Sequence, residues 1–246
     1  MPIDLTKFEQ SSGEPVASSM VLTDRLGRLQ LAQVVHHRRA ILVFEGWTGS
    51  GKRAAIRQLA ASWDPCWFAT HCPSTEEQDR HWLARFWALL PGAGHSQILN
   101  GSWYRHVVAE RIAGRLTDKA WARRCDEINE FEAQQSDHGT LLVKLFFHVT
   151  EAIQDERLAE RAGDPWQRWL GVEAPAPAPR AIQQEVWTDL LSHTDTRWAR
   201  WTLIDANGAD AGAGVALAAV TEAFEKVIPQ EPPGEQRVVP MAQKSA

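Results

Sequence analysis

Residues 40–51, AILVFEGWTGSG, run five apolar side chains straight into a turn that holds three glycines. An apolar run without polar alternation has no solvent face, so 40–44 is predicted to be a strand covered on both sides, as in a parallel sheet. Parallel neighbours need long crossovers, which makes the chain an alternation of strands and helices. KRAAIRQLAASW, 52–63, has the composition of the helix that should follow. Within this stretch Gly46, Gly51 and Lys52 stand in G-x-x-x-x-G-K spacing. Such glycines let successive N–H groups turn inward, the helix start adds positive potential, and the lysine ammonium reaches an anion's outer oxygens. Phosphate is the anion this arrangement suits. The next residue, where a Ser or Thr hydroxyl would face magnesium, is Arg53, a donor-only cation.

The alternation continues along the chain. Residues 20–39 place Leu22, Leu26, Leu29 and Val34 at helical intervals. CWFATHC (66–72), QILN (97–100), GTLLVKLFFHV (139–149) and WTLIDA (201–206) are predicted strands. Ser74 and Glu77 form a capping box ahead of a helix through Leu90, and helices are predicted at 103–115, 117–135, 151–162 and about 213–226. Residues 163–199 break the rhythm, and their Ala-Pro alternation at 171–180 is polyproline-like, so this segment is an expected excursion from the sheet, a lid or helical hairpin. The expected organisation is an N-terminal segment 1–19, one domain over 20–228 with the 163–199 insertion, and a loosely ordered tail 229–246.

Charge and composition exclude several classes. A net charge of −5 does not suit a chain that coats nucleic acid or anionic membrane. No apolar run reaches the roughly 18 residues of a membrane span, and MPIDLTKFEQ lacks the features of a secretion signal, so a cytoplasmic protein is expected. Cys66, Cys72 and Cys125 offer no disulfide framework, and Cys66, His71 and Cys72 lack a second ligand pair for a metal finger. The twelve tryptophans are expected to fill the core.

The loop, with PSTEEQ (73–78), LARFWALLPGAG (83–94), ILNGSWYRHVVAERIAG (98–114), EINEFE (127–132), GTLLVKLFFHV, DPWQRW (164–169), HTDT (193–196) and RWTLIDAN (200–207), resembles the family-2 polyphosphate kinases, and among them the polyphosphate:AMP phosphotransferase branch. The resemblance runs in order over roughly 20–225. It implies a three-layer α/β P-loop kinase fold with a helical lid, magnesium dependence, and polyphosphate together with AMP, ADP or ATP as partners. It also implies roles: Gly46, Gly49, Ser50, Gly51 and Lys52 hold phosphate; Ser102, Trp103, Tyr104, Glu110 and Arg111 match the second motif; Arg161, Arg168 and Trp169 match the lid. Lys52, Arg111 and Arg168 are the expected catalytic residues, because phosphoryl transfer asks mainly for positioning and charge.

The likeness departs at functional positions. Thr48 stands where the family's loop carries an aspartate, and Asn100-Gly101 stand where Asp-Arg precedes Ser-Trp-Tyr. Gln167 and Leu170 replace lid lysines, and GADAGAG (208–214) replaces a basic run. These changes remove carboxylate for a metal and cations for a polyanion, each charge-assisted contact being worth about 1.5–3 kcal/mol. Three readings stand: a polyphosphate-dependent phosphotransferase of reduced activity, a silent nucleotide or polyphosphate binder acting as a regulatory or structural subunit, and a small-molecule kinase using ATP. A homo-oligomer, or pairing with an active paralogue, is expected. His106 either faces the groove or lies on a solvent face; Arg157 and Arg161, four apart on one helix, either grip phosphate or pair with Glu156 and Glu160.

Overall fold

The computed structural model describes residues 3–5, 19–74, 81–169 and 178–234. In chain order the elements are α1 (Ser19–Val35), β1 (Arg39–Gly46), α2 (Lys52–Ala61), β2 (Phe68–His71), α3 (Ala84–Trp87), β3 (Ser96–Asn100), α4 (Trp103–Ile112), α5 (Asp118–Asp137), β4 (Thr140–His148), α6 (Glu151–Gly163), α7 (Pro165–Trp169), α8 (Arg180–Thr194), β5 (Trp201–Asp205) and α9 (Ala209–Val227). The five strands form one parallel sheet in the order β2-β3-β1-β4-β5. β1 is central and buried from Ala40 to Gly46, as its unbroken apolar run requires, whereas the edge strand β2 is only half-buried.

Helices cover both faces. α1, α2 and α9 pack together on one side; α4, α5 and α8 pack on the other. In α1 the buried side chains Leu22, Leu26 and Leu29 follow the helical interval. Trp63 and Phe224 meet ring to ring under the first layer, and Trp103 packs between Phe86 and Phe131 under the second. Most tryptophans therefore do fill the core, while Trp87, Trp166 and Trp198 stay exposed.

Beneath the second layer lies a fully buried ion pair. Lys144 Nζ donates to Glu132 Oε2 at 2.8 Å, to the Tyr104 hydroxyl at 3.0 Å and to the Thr194 carbonyl at 2.7 Å. Trp103 Nε1 and the Tyr104 hydroxyl donate to Glu132 Oε1. The network joins β4, α4, α5 and the end of α8. Burial pulls the Lys144 pKa down, and the Glu132 carboxylate works against that shift.

Three expected elements take a different form. The last helix starts at Ala209, because small side chains let its first turn sit against β5: a Cβ on Gly212 would meet the Ala206 Cα at 3.0 Å. Of the helix expected after Ser74, the described part is the single turn α3; residues 75–80, including Glu77 of the capping box, lie outside the described residues. Within 163–199, α8 is a helix of the second layer, since Trp187, Leu190, Leu191 and Thr194 recur at helical spacing and are buried. Residues 170–177, with most of the Ala-Pro alternation, lie outside the described residues, as do 235–246 of the tail. No described helix is long and apolar enough to cross a membrane.

Candidate active site

β1 ends at Gly46 with φ 122, where a Cβ would collide with the Phe147 backbone, so only glycine lets the strand finish flat against β4. Trp47 N then donates to the Phe147 carbonyl at 3.2 Å and the chain turns. Gly51, at φ 88, is the N-cap of α2 and supplies no side-chain cap, leaving the helix start to face outward. Lys52 is buried and curls back over the loop, its Nζ donating to the carbonyls of Gly46 (2.8 Å) and Trp47 (2.7 Å) and lying 3.4 Å from Ser50 Oγ. The loop is thus wrapped around its own ammonium.

In front of it opens a cleft of about 320 Å³, lined by the chain from Gly49 to Ala54 and by Arg57, Asn100, Arg161 and Gln167. Four of these residues are cations: Lys52, Arg53, Arg57 and Arg161. None is a carboxylate. Asn100 is buried at the end of β3, its Nδ2 donates to Cys72 Sγ at 3.5 Å, and its Oδ1 accepts no hydrogen bond. A dense positive wall at the start of a helix suits an anion with several oxygens.

The back of the loop is held by α6. Gln154 Nε2 donates to the Thr48 carbonyl at 2.8 Å, and Gly49 lies beside the Leu158 side chain. Arg157 sends its guanidinium to the carbonyls of Gly49 (3.2 Å), Ala206 (2.9 Å) and Asn207 (2.7 Å). Of the two arginines expected to grip phosphate together, only Arg161 therefore lines the cleft; Arg157 is turned inward because three carbonyls converge on it. Arg180, at the start of α8, donates to Gln154 and to the Val149 carbonyl and lies 4.1 Å from the centre of the Trp47 ring.

The Ser-Trp-Tyr segment is placed differently from its expected role. Ser102 caps α4 through Tyr104 N, and its own N and Oγ donate to Glu45 Oε1 at 2.7 and 2.8 Å. Tyr104 is fully buried in the Lys144–Glu132 network and does not line the cleft. Burial, followed by the Glu132 carboxylate, holds its pKa well above the ordinary value. Arg111 sits at the far end of α4, eight residues on from Trp103 and about 12 Å down the helix. There it donates to the Leu116 carbonyl (2.8 Å) and Asp118 (2.6 Å), and it does not line the cleft. His106 faces neither groove nor solvent: it is buried, stacked on Trp82 at 5.7 Å, with Nε2 3.7 Å from Glu110.

A family model, Polyphosphate kinase 2 (PPK2), matches residues 10–230. The chain belongs to this family. It is 33% identical over 196 residues to a polyphosphate:AMP phosphotransferase of Pseudomonas syringae pv. tomato, covering 78% of this chain and 39% of that protein. It is 28% identical over 212 residues to an AMP/ADP-polyphosphate phosphotransferase of Meiothermus ruber, covering 84% and 79% of the two chains. The crystal structure of Polyphosphate Kinase 2 from Arthrobacter aurescens TC1 superposes with a TM-score of 0.81 at 22% identity, over 95% of this chain and 88% of that one. The fold is the P-loop kinase fold of PPK2. The chain spans about two fifths of the length of the Pseudomonas syringae relative.

For a PPK2 chain the departures noted in the sequence have distinct structural settings. Thr48 is half-buried outside the cleft lining, with its carbonyl tied to Gln154. Gly101, at φ 81, leaves room for Arg105: an added Cβ would meet that guanidinium at 2.8 Å. A cation from one turn along α4 thus lies over the place where the resemblance marks a lost one. Arg105 Nε is also 3.9 Å from Glu45 Oε2, an oxygen that accepts no hydrogen bond. Burial raises the Glu45 pKa, with Arg105, Ser102 and Lys52 pulling the other way. Gln167 lines the cleft, whereas the side chains of Arg168 and Trp169 lie outside the described residues.

Sequence reasoning missed Arg57 as a cleft cation, and it missed the clamp made by Gln154 and Arg180. Arg53 and Arg57 had a signal, since they stand four apart on the helix face opposite buried Ala55, Ile56 and Leu59. As for a metal, no group of three His, Cys, Asp or Glu side chains converges among the described residues. Among the described residues the side-chain oxygens lining the cleft are the neutral ones of Ser50, Asn100 and Gln167. That donor set does not fit a resident magnesium ion, which draws on carboxylates.

Proposed function

We propose that this PPK2 member transfers phosphoryl groups between polyphosphate and a nucleotide of the AMP or ADP class. What supports this reading most directly is the convergence of Lys52, Arg53, Arg57 and Arg161 with the uncapped start of α2 on one cleft. The relatives named for polyphosphate:AMP and AMP/ADP-polyphosphate phosphotransfer support the substrate class. A phosphate entering the loop offers Lys52 a charged acceptor in place of the neutral carbonyls of Gly46 and Trp47, and the charged bond is the stronger. Lys52 then follows the transferred group while the loop amides orient it, and Arg161, with Arg168 of the lid segment, neutralises the flanking phosphates. Any divalent cation arrives on the substrates' own oxygens.

A coupled assay with polyphosphate, a divalent salt and AMP, ADP or GDP tests the proposal. Nucleoside di- or triphosphate should form, and Lys52→Ala should lower the rate about 100-fold or more. The second reading is a silent binder of the same ligands, to be weighed because the described lining holds no carboxylate. Binding that Lys52→Ala removes, without turnover by the unaltered chain, would select it.

A further inference from the structure

We infer that the cleft binds its phosphate chain through the guanidinium groups of Arg53, Arg57 and Arg161 without a protein-held metal ion, and that Arg53 adds a grip at the position where a P-loop usually carries a Ser or Thr hydroxyl. The inference rests on the phosphate-site reading and concerns how that site neutralises its ligand.

Two walls carry the charge. Arg53 and Arg57 project from α2 one turn apart, both exposed, while Ala55, Ile56 and Leu59 bury the opposite side of the helix. Arg161 faces them from α6. Among the described residues none of the three guanidinium groups makes a hydrogen bond or an ion pair, in a chain whose net charge is −5. Like charges one turn apart repel, so their convergence costs stability until an anion lies between them. A guanidinium fork matches phosphate oxygens two at a time, and a row of forks matches a linear polyanion.

A dication finds the opposite conditions. It would enter a cleft with four positive side chains, and among the described residues the side-chain oxygens it could meet there, on Ser50, Asn100 and Gln167, are neutral. Thr48 and Asn100 are the positions where the resemblance expects carboxylates. The adjacent carboxylate, Glu45, is enclosed behind the cleft, with one oxygen bound by Ser102 and the other beside Arg105. Arg53 stands directly after Lys52, where a hydroxyl would serve a metal and a guanidinium serves only anions.

The test is calorimetric titration of the full chain with inorganic polyphosphate, once in magnesium and once in EDTA, for the unaltered protein, Arg53→Gln and Lys52→Ala. Affinity should agree within about threefold between the two buffers, and Arg53→Gln should lose about tenfold in both. Because Arg53 is exposed, Arg53→Gln should keep the unaltered far-UV spectrum. Manganese added alone should keep its full free-ion electron paramagnetic resonance signal in the presence of the chain. Binding that disappears in EDTA, a bound manganese signal without phosphate, or an Arg53→Gln variant indistinguishable from the unaltered chain would overturn the inference while leaving the phosphate site in place. No binding in either buffer, or binding that Lys52→Ala leaves intact, would overturn the site itself.

Discussion

At residue 101 the backbone decides what the side chain can be. Gly101 has φ 81, a conformation that costs other residues about 1–2 kcal/mol, and the Arg105 guanidinium fills the space above it. Gly101→Arg should therefore lower stability by at least that amount in urea unfolding, and it should not raise polyphosphate affinity, because a cation already lies there. A motif comparison counts such a position as a lost charge. Position 105, four residues on along a helix start, supplies the compensation, and the helical interval between them was legible. That the arginine folds back rather than outward was not, since it depends on the enclosed carboxylate of Glu45, a residue with no motif of its own.

At the scale of an element, α6 buries no side chain and yet holds the phosphate loop through a polar stripe: Gln154, Arg157 and Leu158 touch the loop, and Arg161 faces the cleft. The two arginines should separate in experiment. Arg157→Gln should speed amide exchange at residues 47–51 and weaken phosphate binding only through that loosening. Arg161→Gln should weaken polyphosphate binding about tenfold, with loop exchange unchanged. The helix and the pairing of Arg157 with Arg161 were evident from periodicity. Their division of labour was hidden, because the acceptors of Arg157 are backbone carbonyls of Gly49, Ala206 and Asn207, which leave no trace in composition.

For the whole molecule, the buried Lys144–Glu132 pair joins the sheet to the layer formed by α4, α5 and α8. Removing one partner leaves a charge stranded in the core, so Lys144→Met should cost about 3–5 kcal/mol, measured as a lower denaturant midpoint with an unchanged slope. The strands were readable because buried parallel strands are continuous apolar runs, and all five fall within two residues of their predicted limits. Tyr104 and Arg111 were placed by motif at the substrate, but the motif serves two ends of one helix: its start braces the loop through Ser102 and Glu45, and its remainder locks the core. The order β2-β3-β1-β4-β5 has one more consequence. With a neighbour on each flank, β1 is insulated from the rim, so either outer strand can fray or be strained while the platform beneath the loop stays still.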